Sequence, residues 1–545
     1  MTLHSSPRLM PSSKWLFAGI LAAGAAANAL LSPKWAIPVF AWFAPGLLLF
    51  YFRNAVLRFK MLWFIVALMA SQIVSAYNVF PFPWPVTVAL TVINTAKLLA
   101  IFFIDRWVSK KSGHFITTLV FPAAFTAKEF FDIATGGGAW WSIANTQYSF
   151  SWLAQLASVT GLAGISFMVY WFAAVTVWAL QNYYTGKKFT NGVTWFAGFF
   201  GVILLFGAYR LYSVQTTRMA DVKVAGLSVP TFGLLEGVYK DVTGKTVTID
   251  PRTSPTSPQL QQVNAALLPF IENPDTAKFA NGYKALYALH DSLFAESRQA
   301  AQAGAKIITW SEANAIMPVT MQDAFIQRGQ NFAKNNSVYL LMAMGVFDTG
   351  KLTPAKMFLE NKTLLISPEG EILNVFHKNH PVPYAERCKP GDGKIPVVRT
   401  PYGKVSVSIC YDADIPGSMR QLGAEKSGIL FLPSGDWYAI APYHSYMAMF
   451  RGIENGCTVV RQASGGLSLV TDYRGKKLAS FDFYNPGEKL WAANVITGHV
   501  ATVYNVIGDA FAYLCMVITC AAVLYLVAGL LWRTKKIPAR KKMVA

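Results

Sequence analysis

Long apolar segments constrain the fold of this chain more than any other feature of its sequence. Each is long enough to cross about 30 Å of hydrocarbon as a helix. Hydrophobic residues make up 53% of the chain and charged residues 14%, with a mean hydropathy of +0.34, which favours a polytopic membrane protein over a soluble multidomain one. The eight predicted spans are 15–31, 35–52, 61–78, 85–104, 115–133, 152–180, 193–213 and 506–532.

The net charge of +20 belongs to the apolar part of the chain. Residues 218–504 contain 28 Lys and Arg against 24 Asp and Glu, whereas the rest contains 20 against 4. This distribution argues against a nucleic-acid partner. Basic residues occupy alternate loops, which by the positive-inside rule predicts cytoplasmic termini and an extracytoplasmic region 218–504. The basic positions that set this orientation are Arg8, Lys14, Arg53, Arg58, Lys60, Arg106, Lys110, Lys111, Lys187, Lys188, Arg533, Lys535, Lys536, Arg540, Lys541 and Lys542.

The chain is therefore predicted to have three parts: a seven-helix membrane module at 1–217, a soluble domain at 218–504, and a closing membrane helix with a basic cytoplasmic tail at 505–545. We interpret the first span as a retained anchor, with cleavage after 22–29 as the alternative. In the middle region, short apolar strands alternate with helical stretches, which predicts a single large α/β domain. Its Pro-, Ser- and Thr-rich segment 240–275 predicts an irregular surface loop, with disorder favoured over a lid.

Cys410 ends an apolar strand and precedes a polar turn, Tyr411-Asp412-Ala413-Asp414. A nucleophile at a sharp strand-to-helix turn is exposed and has backbone N–H groups near the position of a developing oxyanion. A buried cysteine that acts only as a small hydrophobic residue is the alternative. As a nucleophile, the thiol needs a base to become a thiolate.

Glu312 and Lys378 each follow a predicted strand, where α/β enzymes gather catalytic groups. Position alone favours a solvated loop carboxylate for Glu312, and Lys378 alone is also compatible with a solvated surface charge. A carboxylate can accept the thiol proton, and a fixed ammonium can stabilise an oxyanion and lower the pKa of a thiol. The three residues together are more specific than any one of them, and they predict acyl-transfer chemistry.

These segments resemble the carbon-nitrogen hydrolase, or nitrilase, superfamily, whose Glu-Lys-Cys triad occurs in this chain order on an αββα sandwich. The matching segments are 308–312, 377–386 and 408–412. Because seven spans precede the domain and one follows it, the chain is similar, more narrowly, to the apolipoprotein N-acyltransferase family over nearly its full length. Residues 449–455 and 460–466, together with Tyr504 and Gly508-Asp509, add to this resemblance.

The resemblance implies that Cys410 is the nucleophile, Glu312 the general base and Lys378 the oxyanion stabiliser. Supporting positions are also implied: Glu386 to orient Lys378 or assist proton transfer, Tyr411 to flank the acyl site, and Asp412 where the family has a glutamate. The chain departs from the family pattern at Ser311, which replaces a proline, and in the loop 432–437. Such positions shape the pocket beside the acyl group.

The implied reaction moves an acyl chain from a phospholipid to Cys410 as a thioester, and then to the α-amine of the N-terminal diacylglyceryl-cysteine of a lipoprotein. This ping-pong route requires no metal, nucleotide or other cofactor. The implied location is the bacterial cytoplasmic (inner) membrane, with the domain on its periplasmic side among membrane lipids. Alternatives are a membrane-tethered nitrilase-like amide hydrolase, an acyltransferase with a different amine acceptor, and a non-enzymatic membrane protein with a retired hydrolase-like domain.

Three further features are left open by the sequence. The aromatic loops 80–84 and 136–141 lie on the predicted outer side, where they guide lipid or form an ordinary interfacial belt. Lys128, Glu129 and Asp132 near the end of the fifth span serve an entrance or pair locally. Cys388 and Cys457 could form a disulfide, although nothing in their spacing requires one.

Overall fold

The first part of the chain folds into packed helices. The computed structural model describes residues 13–80, 82–213, 221–383, 385–485 and 490–535, with side chains up to residue 529. Buried aromatic rings, among them Phe52, Phe64 and Phe102, fill the centre of the helix bundle. The helices are α1 Lys14–Ala29, α2 Phe40–Asn54, α3 Lys60–Ala76, α4 Trp84–Lys111, α5 Val120–Asp132, the short α6 Ser151–Ala154 and α7 Ala157–Thr160, α8 Leu162–Tyr184 and α9 Thr190–Tyr212.

Large apolar side chains also cover the outside of these helices. Trp63 is 54% exposed and Leu205 is 71% exposed. In a soluble bundle such residues would form an unfavourable apolar surface, whereas in a membrane they would face lipid. The outer surface of the bundle therefore agrees with a membrane environment.

The middle of the chain forms two stacked sheets. Over the described residues, the first sheet has the order β13-β1-β2-β4-β5-β6 with β3 on β4, and the second has the order β12-β11-β10-β9-β8-β7. Val224, Ile307, Val407 and Phe431 pack between the sheets. The strands are β1 Asp221–Leu227, β2 Ile307–Trp310, β3 Ala315–Pro318, β4 Tyr339–Phe347, β5 Leu359–Ile366, β6 Ile372–His377, β7 Val397–Thr400, β8 Gly403–Val407, β9 Ile429–Gly435, β10 Thr458–Ser464, β11 Leu467–Thr471, β12 Lys477–Asp482 and β13 Leu490–Ile496.

Helices cover the outer faces of both sheets and complete the predicted αββα arrangement. Leu293, Phe294 and Phe332 pack on the first sheet from its helical side, and Met419, Leu422 and Ala448 do so on the second. The helices are α10 Phe232–Thr243, α11 Pro258–Ala266, α12 Leu268–Glu272, α13 Ala280–Gln302, α14 Gln322–Asn336, α15 Pro416–Met419, α16 Gln421–Ala424, α17 Tyr443–Asn455, α18 Val503–Ile507 and the closing α19 Ala510–Lys535.

Each of the eight predicted spans contains a helix, but the helices differ in length. Among the described residues, four are long and apolar enough to cross a membrane: α4, α8, α9 and Ala510–Gly529 of α19. Helix α3 is apolar but shorter. The count of eight spans, the side on which the domain lies and the domain limits therefore remain predictions. Basic positions before residue 13 and after residue 535 lie outside the described residues.

Two predictions about local structure were wrong. The predicted span 152–180 does not begin at residue 152, because Gly161 at φ +62° separates the short helix α7 from α8. The segment 240–275 is not irregular throughout, since it contains α11 and α12. The Ser257 hydroxyl caps α11 by accepting a hydrogen bond from the Leu260 N–H, and Pro258 occupies the first turn. A serine followed by a proline thus begins a helix here.

Candidate active site

Cys410 stands at a sharp turn after β8. The chain leaves the strand, and Cys410 takes φ +46° as it enters a single 3₁₀ turn, Cys410–Asp414. This conformation is uncommon for a residue other than glycine and marks a position held by its surroundings. The Asp412 carboxylate holds it by accepting a hydrogen bond from the Ile409 N–H at 3.1 Å and one from the Ser408 hydroxyl at 3.3 Å.

Glu312 and Lys378 meet at the ends of β2 and β6. The Lys378 ammonium is fully buried and donates to Glu312 Oε1 and to Glu386 Oε1, each at 2.7 Å. The Asn361 amide donates to the same Glu312 oxygen at 2.7 Å. The three predicted catalytic side chains thus follow different strands, Glu386 comes from the loop after Lys378, and tertiary folding assembles their site.

Gly435 lies between Glu312 and the thiol. Cys410 Sγ lies 3.6 Å from the Gly435 carbonyl oxygen, and a Cβ added at Gly435 would be 3.2 Å from Glu312 Oε2. The two Glu312 oxygens therefore have different surroundings. Oε1 is held by Lys378 and Asn361, while Oε2 lies near Gly435, the residue whose carbonyl accepts from the thiol.

Burial and opposing charges set the protonation of the site. Burial, followed by the charge of Glu312, raises the pKa of the Cys410 thiol well above its usual range, although Lys378 opposes this. Burial alone would lower the pKa of Lys378, but Glu312, Cys410 and Glu386 hold it well above its usual range. Burial also raises the pKa of Glu386, against the effect of Lys378. The resting site therefore combines a protonated thiol with a charged ammonium, so attack by sulfur requires a base.

The two remaining predicted positions tie the nucleophile turn to its neighbours. Asp412 Oδ1 accepts a hydrogen bond from the His380 backbone N–H at 2.7 Å, which links the Cys410 turn to the segment after Lys378. The Tyr411 hydroxyl donates to the Gly136 carbonyl at 3.1 Å. Gly136 belongs to the membrane module, so the residue next to Cys410 contacts that module directly.

The sequence analysis missed a buried charge cluster beside the thiol, formed by His444, Asp436, Asp414 and Arg461. His444 Nδ1 lies 2.7 Å from Asp436, and its Nε2 lies 3.1 Å from Asp414. Arg461 donates to both oxygens of Asp436, at 2.8 and 2.9 Å. Burial would lower the pKa of His444, but the two aspartates raise it to about 9. Asp414 lies in the turn that begins at Cys410. Its position next to the predicted nucleophile was the local sequence signal for this cluster.

This cluster also contains a possible set of metal ligands. Atoms of Cys410, Asp436 and His444 lie within 4.8 Å of one another. A metal would need a deprotonated imidazole and a free carboxylate. Here the two aspartates raise the pKa of His444, and Arg461 donates to both Asp436 oxygens and lies 2.9 Å from His444 Nδ1. We therefore interpret the cluster as a charge network. Cys388 and Cys457 are both buried free thiols.

Two protein families match separate parts of the chain. Residues 259–496 match the carbon-nitrogen hydrolase family, and residues 22–175 match the apolipoprotein N-acyltransferase N-terminal domain. Among curated proteins, the chain is 26% identical over 265 residues to the apolipoprotein N-acyltransferase of Geobacter metallireducens, which covers 44% of this chain and 49% of that protein. It is 21% identical over 359 residues to that of Rickettsia typhi, which covers 62% of each. The chain thus spans about half to two thirds of these relatives.

Solved structures match part of the chain at low identity. An amidase from Nesterenkonia sp. is 17% identical with a TM-score of 0.35, and the match covers 52% of this chain and 94% of the amidase. A carbon-nitrogen hydrolase from Helicobacter pylori is 17% identical with a TM-score of 0.33, with coverage of 38% and 84%.

Proposed function

We propose a function for this protein from the families that it matches. The chain joins a match to the N-terminal domain of apolipoprotein N-acyltransferases to a match to the carbon-nitrogen hydrolase family, and so resembles that acyltransferase family as predicted. The protein transfers an acyl chain from a phospholipid to the α-amine of the N-terminal diacylglyceryl-cysteine of a lipoprotein. The observation that carries this proposal is the position of the Cys410 turn, which joins the Glu312–Lys378 pair to the membrane module through Tyr411 and Gly136.

In the first half-reaction, Glu312 accepts the thiol proton and Cys410 sulfur attacks the ester carbonyl of the phospholipid. Lys378 already carries its charge, so it can stabilise the tetrahedral oxyanion without any rearrangement. The C–O bond of the ester then breaks, and the proton held by Glu312 passes to the departing lysophospholipid oxygen. The product is a thioester on Cys410.

In the second half-reaction, the lipoprotein amine attacks the thioester carbonyl. Glu312 takes the proton from the amine, Lys378 again stabilises the oxyanion, and the C–S bond breaks as the proton held by Glu312 passes to sulfur and restores the thiol. Cys410 is only 4% exposed. Burial limits the access of water to the thioester, which favours an amine that is delivered with its own lipid anchor.

The apolar helices and the contact between the Cys410 turn and the membrane module support the proposed location. A domain held beside the bilayer avoids the transfer of acyl chains into water, which costs about 0.8 kcal/mol per CH₂. We propose that this protein is a multi-pass enzyme of the bacterial inner membrane with both termini in the cytoplasm and the catalytic domain on the periplasmic side.

Mass spectrometry of the intact protein tests the proposal. After incubation with phospholipid, the protein should gain one acyl mass that hydroxylamine removes, and a diacylglyceryl peptide should then receive that acyl group on its α-amine. Cys410→Ala should abolish the adduct and Glu312→Gln should slow its formation severely, while Cys388→Ala serves as the matched control. An adduct that persists in Cys410→Ala would refute the assignment. An adduct lost to water but not to the peptide would favour the hydrolase alternative.

A further inference from the structure

Three charged side chains meet outside the active site, on helices α4 and α5. Asp132 Oδ1 accepts a hydrogen bond from Lys97 at 2.6 Å, and its Oδ2 lies 2.8 Å from the Lys128 ammonium. One carboxylate is thus shared by two ammonium groups, which leaves a net charge of +1 on the trio. A purely structural ion pair would need only one lysine.

The position of the trio makes an unbalanced charge costly. Lys97 lies thirteen residues after Trp84, the first residue of α4, or roughly 20 Å along a helix that is long and apolar enough to cross a membrane. Asp132 ends α5, so the trio stands at the end of that helix, and an unbalanced charge beside apolar membrane helices is expensive and marks a functional site. The side chains of Lys97 and Asp132 are 37% and 27% exposed, so the trio opens outward from the bundle.

The neighbouring Glu129 has a different environment. It is buried, and its two oxygens accept hydrogen bonds from Ser142, Ser166, Tyr170 and the Ile143 N–H. This carboxylate fixes the loop that follows α5 to α8, and it is fully engaged there. The lysine trio and Glu129 therefore form two separate polar sites at one helix end, because they share no hydrogen-bond partner.

A short connection leads from the trio to the nucleophile. Asp132 is the last residue of α5 and lies four residues before Gly136, whose carbonyl accepts a hydrogen bond from the Tyr411 hydroxyl at 3.1 Å. Tyr411 in turn directly follows Cys410. The segment 133–136 therefore links the trio to the residue beside the thiol.

We propose that Lys97 and Lys128 bind the phosphate of the donor phospholipid and so direct its ester toward Cys410. This inference rests on the proposed function. A phosphodiester carries one negative charge, which matches the excess on the trio, and ammonium groups bind phosphate as point charges without demanding a fixed geometry. Asp132 holds the two lysines in place until the lipid arrives.

Acylation kinetics test the inference. The double variant Lys97→Met/Lys128→Met should raise at least tenfold the phosphatidylglycerol concentration that gives half-maximal acylation of Cys410. The ratio of phosphatidylglycerol acylation to acylation by a p-nitrophenyl acyl ester, which has no phosphate, should fall by the same factor. Lys97→Arg/Lys128→Arg should retain most of the ratio, and Lys110→Met, at the other end of α4, is the matched control. An unchanged ratio would overturn the inference.

A binding measurement separates this inference from the proposed reaction. Diether phosphatidylglycerol, which cannot donate an acyl chain, should protect Lys97 and Lys128 from an amine-acylating reagent, as read by peptide mass spectrometry. A dialkylglycerol and inorganic phosphate at the same concentration should not protect them. Equal protection by the phosphate-free lipid would refute phosphate recognition, and protection by inorganic phosphate alone would show an ion site rather than a lipid site. If the wild-type protein is protected but never acylated, the proposed reaction fails and the binding site stands.

Discussion

The membrane module and the catalytic domain both bury charged side chains, but they arrange them differently. In the module, Arg53 and Asp105 form a pair of one cation and one anion, an isolated pair of charges, at 2.6 Å with side chains 3% and 1% exposed, and Arg53 also donates to the neutral Gln181 at 3.1 Å. In the domain, Lys378 is shared by two carboxylates, and His444 is likewise held between two aspartates. An isolated pair can be replaced as a unit by apolar side chains, whereas a shared cation cannot be removed without leaving several charges unpaired. We infer that the first pair serves packing and that the shared cations serve chemistry.

The largest effect should follow removal of the shared ammonium. Lys378→Met leaves Glu312 and Glu386 buried without their cation, which should cost about 3–5 kcal/mol of stability and lower acylation of Cys410 by at least 10²-fold. Intact-mass acylation and chemical denaturation measure the two effects, and Lys351→Met on the surface is the control. Because Lys378→Met could fail to fold, Glu386→Gln should be measured too; it should slow acylation with a smaller loss of stability. Full activity in both variants would remove Lys378 from the mechanism.

The isolated pair should behave differently. Arg53→Leu or Asp105→Leu alone should destabilise the module by about 3–5 kcal/mol, whereas the double variant should recover most of that loss because no unpaired charge remains. Thermal unfolding in detergent measures stability, and acylation per folded molecule should stay at the wild-type value. If the two single losses simply add in the double variant, the contrast between the two regions is wrong.

Alkaline pH should weaken the charge cluster around His444. Its pKa is raised from 6.5 to about 9, so its contribution to stability is complete below pH 6.5 and is lost as the pH rises through about 9. The loss should amount to about 3 kcal/mol. Denaturation of the wild type between pH 6.5 and 10 should show the decline, and His444→Gln should flatten it. Asp414, Asp436 and Arg461 face the imidazole, so a profile that is unchanged by His444→Gln would assign the decline to another group.

The smallest effect is expected from Gly435→Ala. The added Cβ would lie 3.2 Å from Glu312 Oε2, which requires a shift of a few tenths of an ångström in the proposed base. We expect acylation to slow about tenfold and stability to change by less than about 1 kcal/mol. Gly417→Ala is the control because a Cβ there meets no atom within 4 Å. Equal rates for the two variants would show that the exact position of Glu312 is unimportant.

The sequence predicted what depends on local pattern. Helices appear in every predicted apolar span because a run of apolar residues must satisfy its backbone internally in lipid. The sequence also predicted that Glu312, Lys378 and Cys410 each follow a strand. Because strand ends at a sheet edge come together in α/β folds, it predicted that they lie close together. The predicted residues therefore lie close together in the structure, while their roles await the experiments above.

The features that the sequence did not predict depend mostly on contacts between distant segments. His444 is on α17, Asp436 follows β9 and Arg461 is on β10, so no spacing in the sequence marks their meeting. The Lys97–Asp132 contact joins two helices. The helices in 240–275 were missed for a different reason, because residues typical of turns also cap helices.

The hydrogen bonds from the Tyr411 hydroxyl to Gly136 and from the Ala139 N–H to Asp414 close the nucleophile turn from the module side. In a truncated protein that begins at the first sheet, the Tyr411 hydroxyl and the Asp414 carbonyl would face water. The Cys410 turn would then have no contact on that side. Removal of the helices would therefore take away two contacts of the turn that carries Cys410, and a free-standing version of the domain would need substitutes for them.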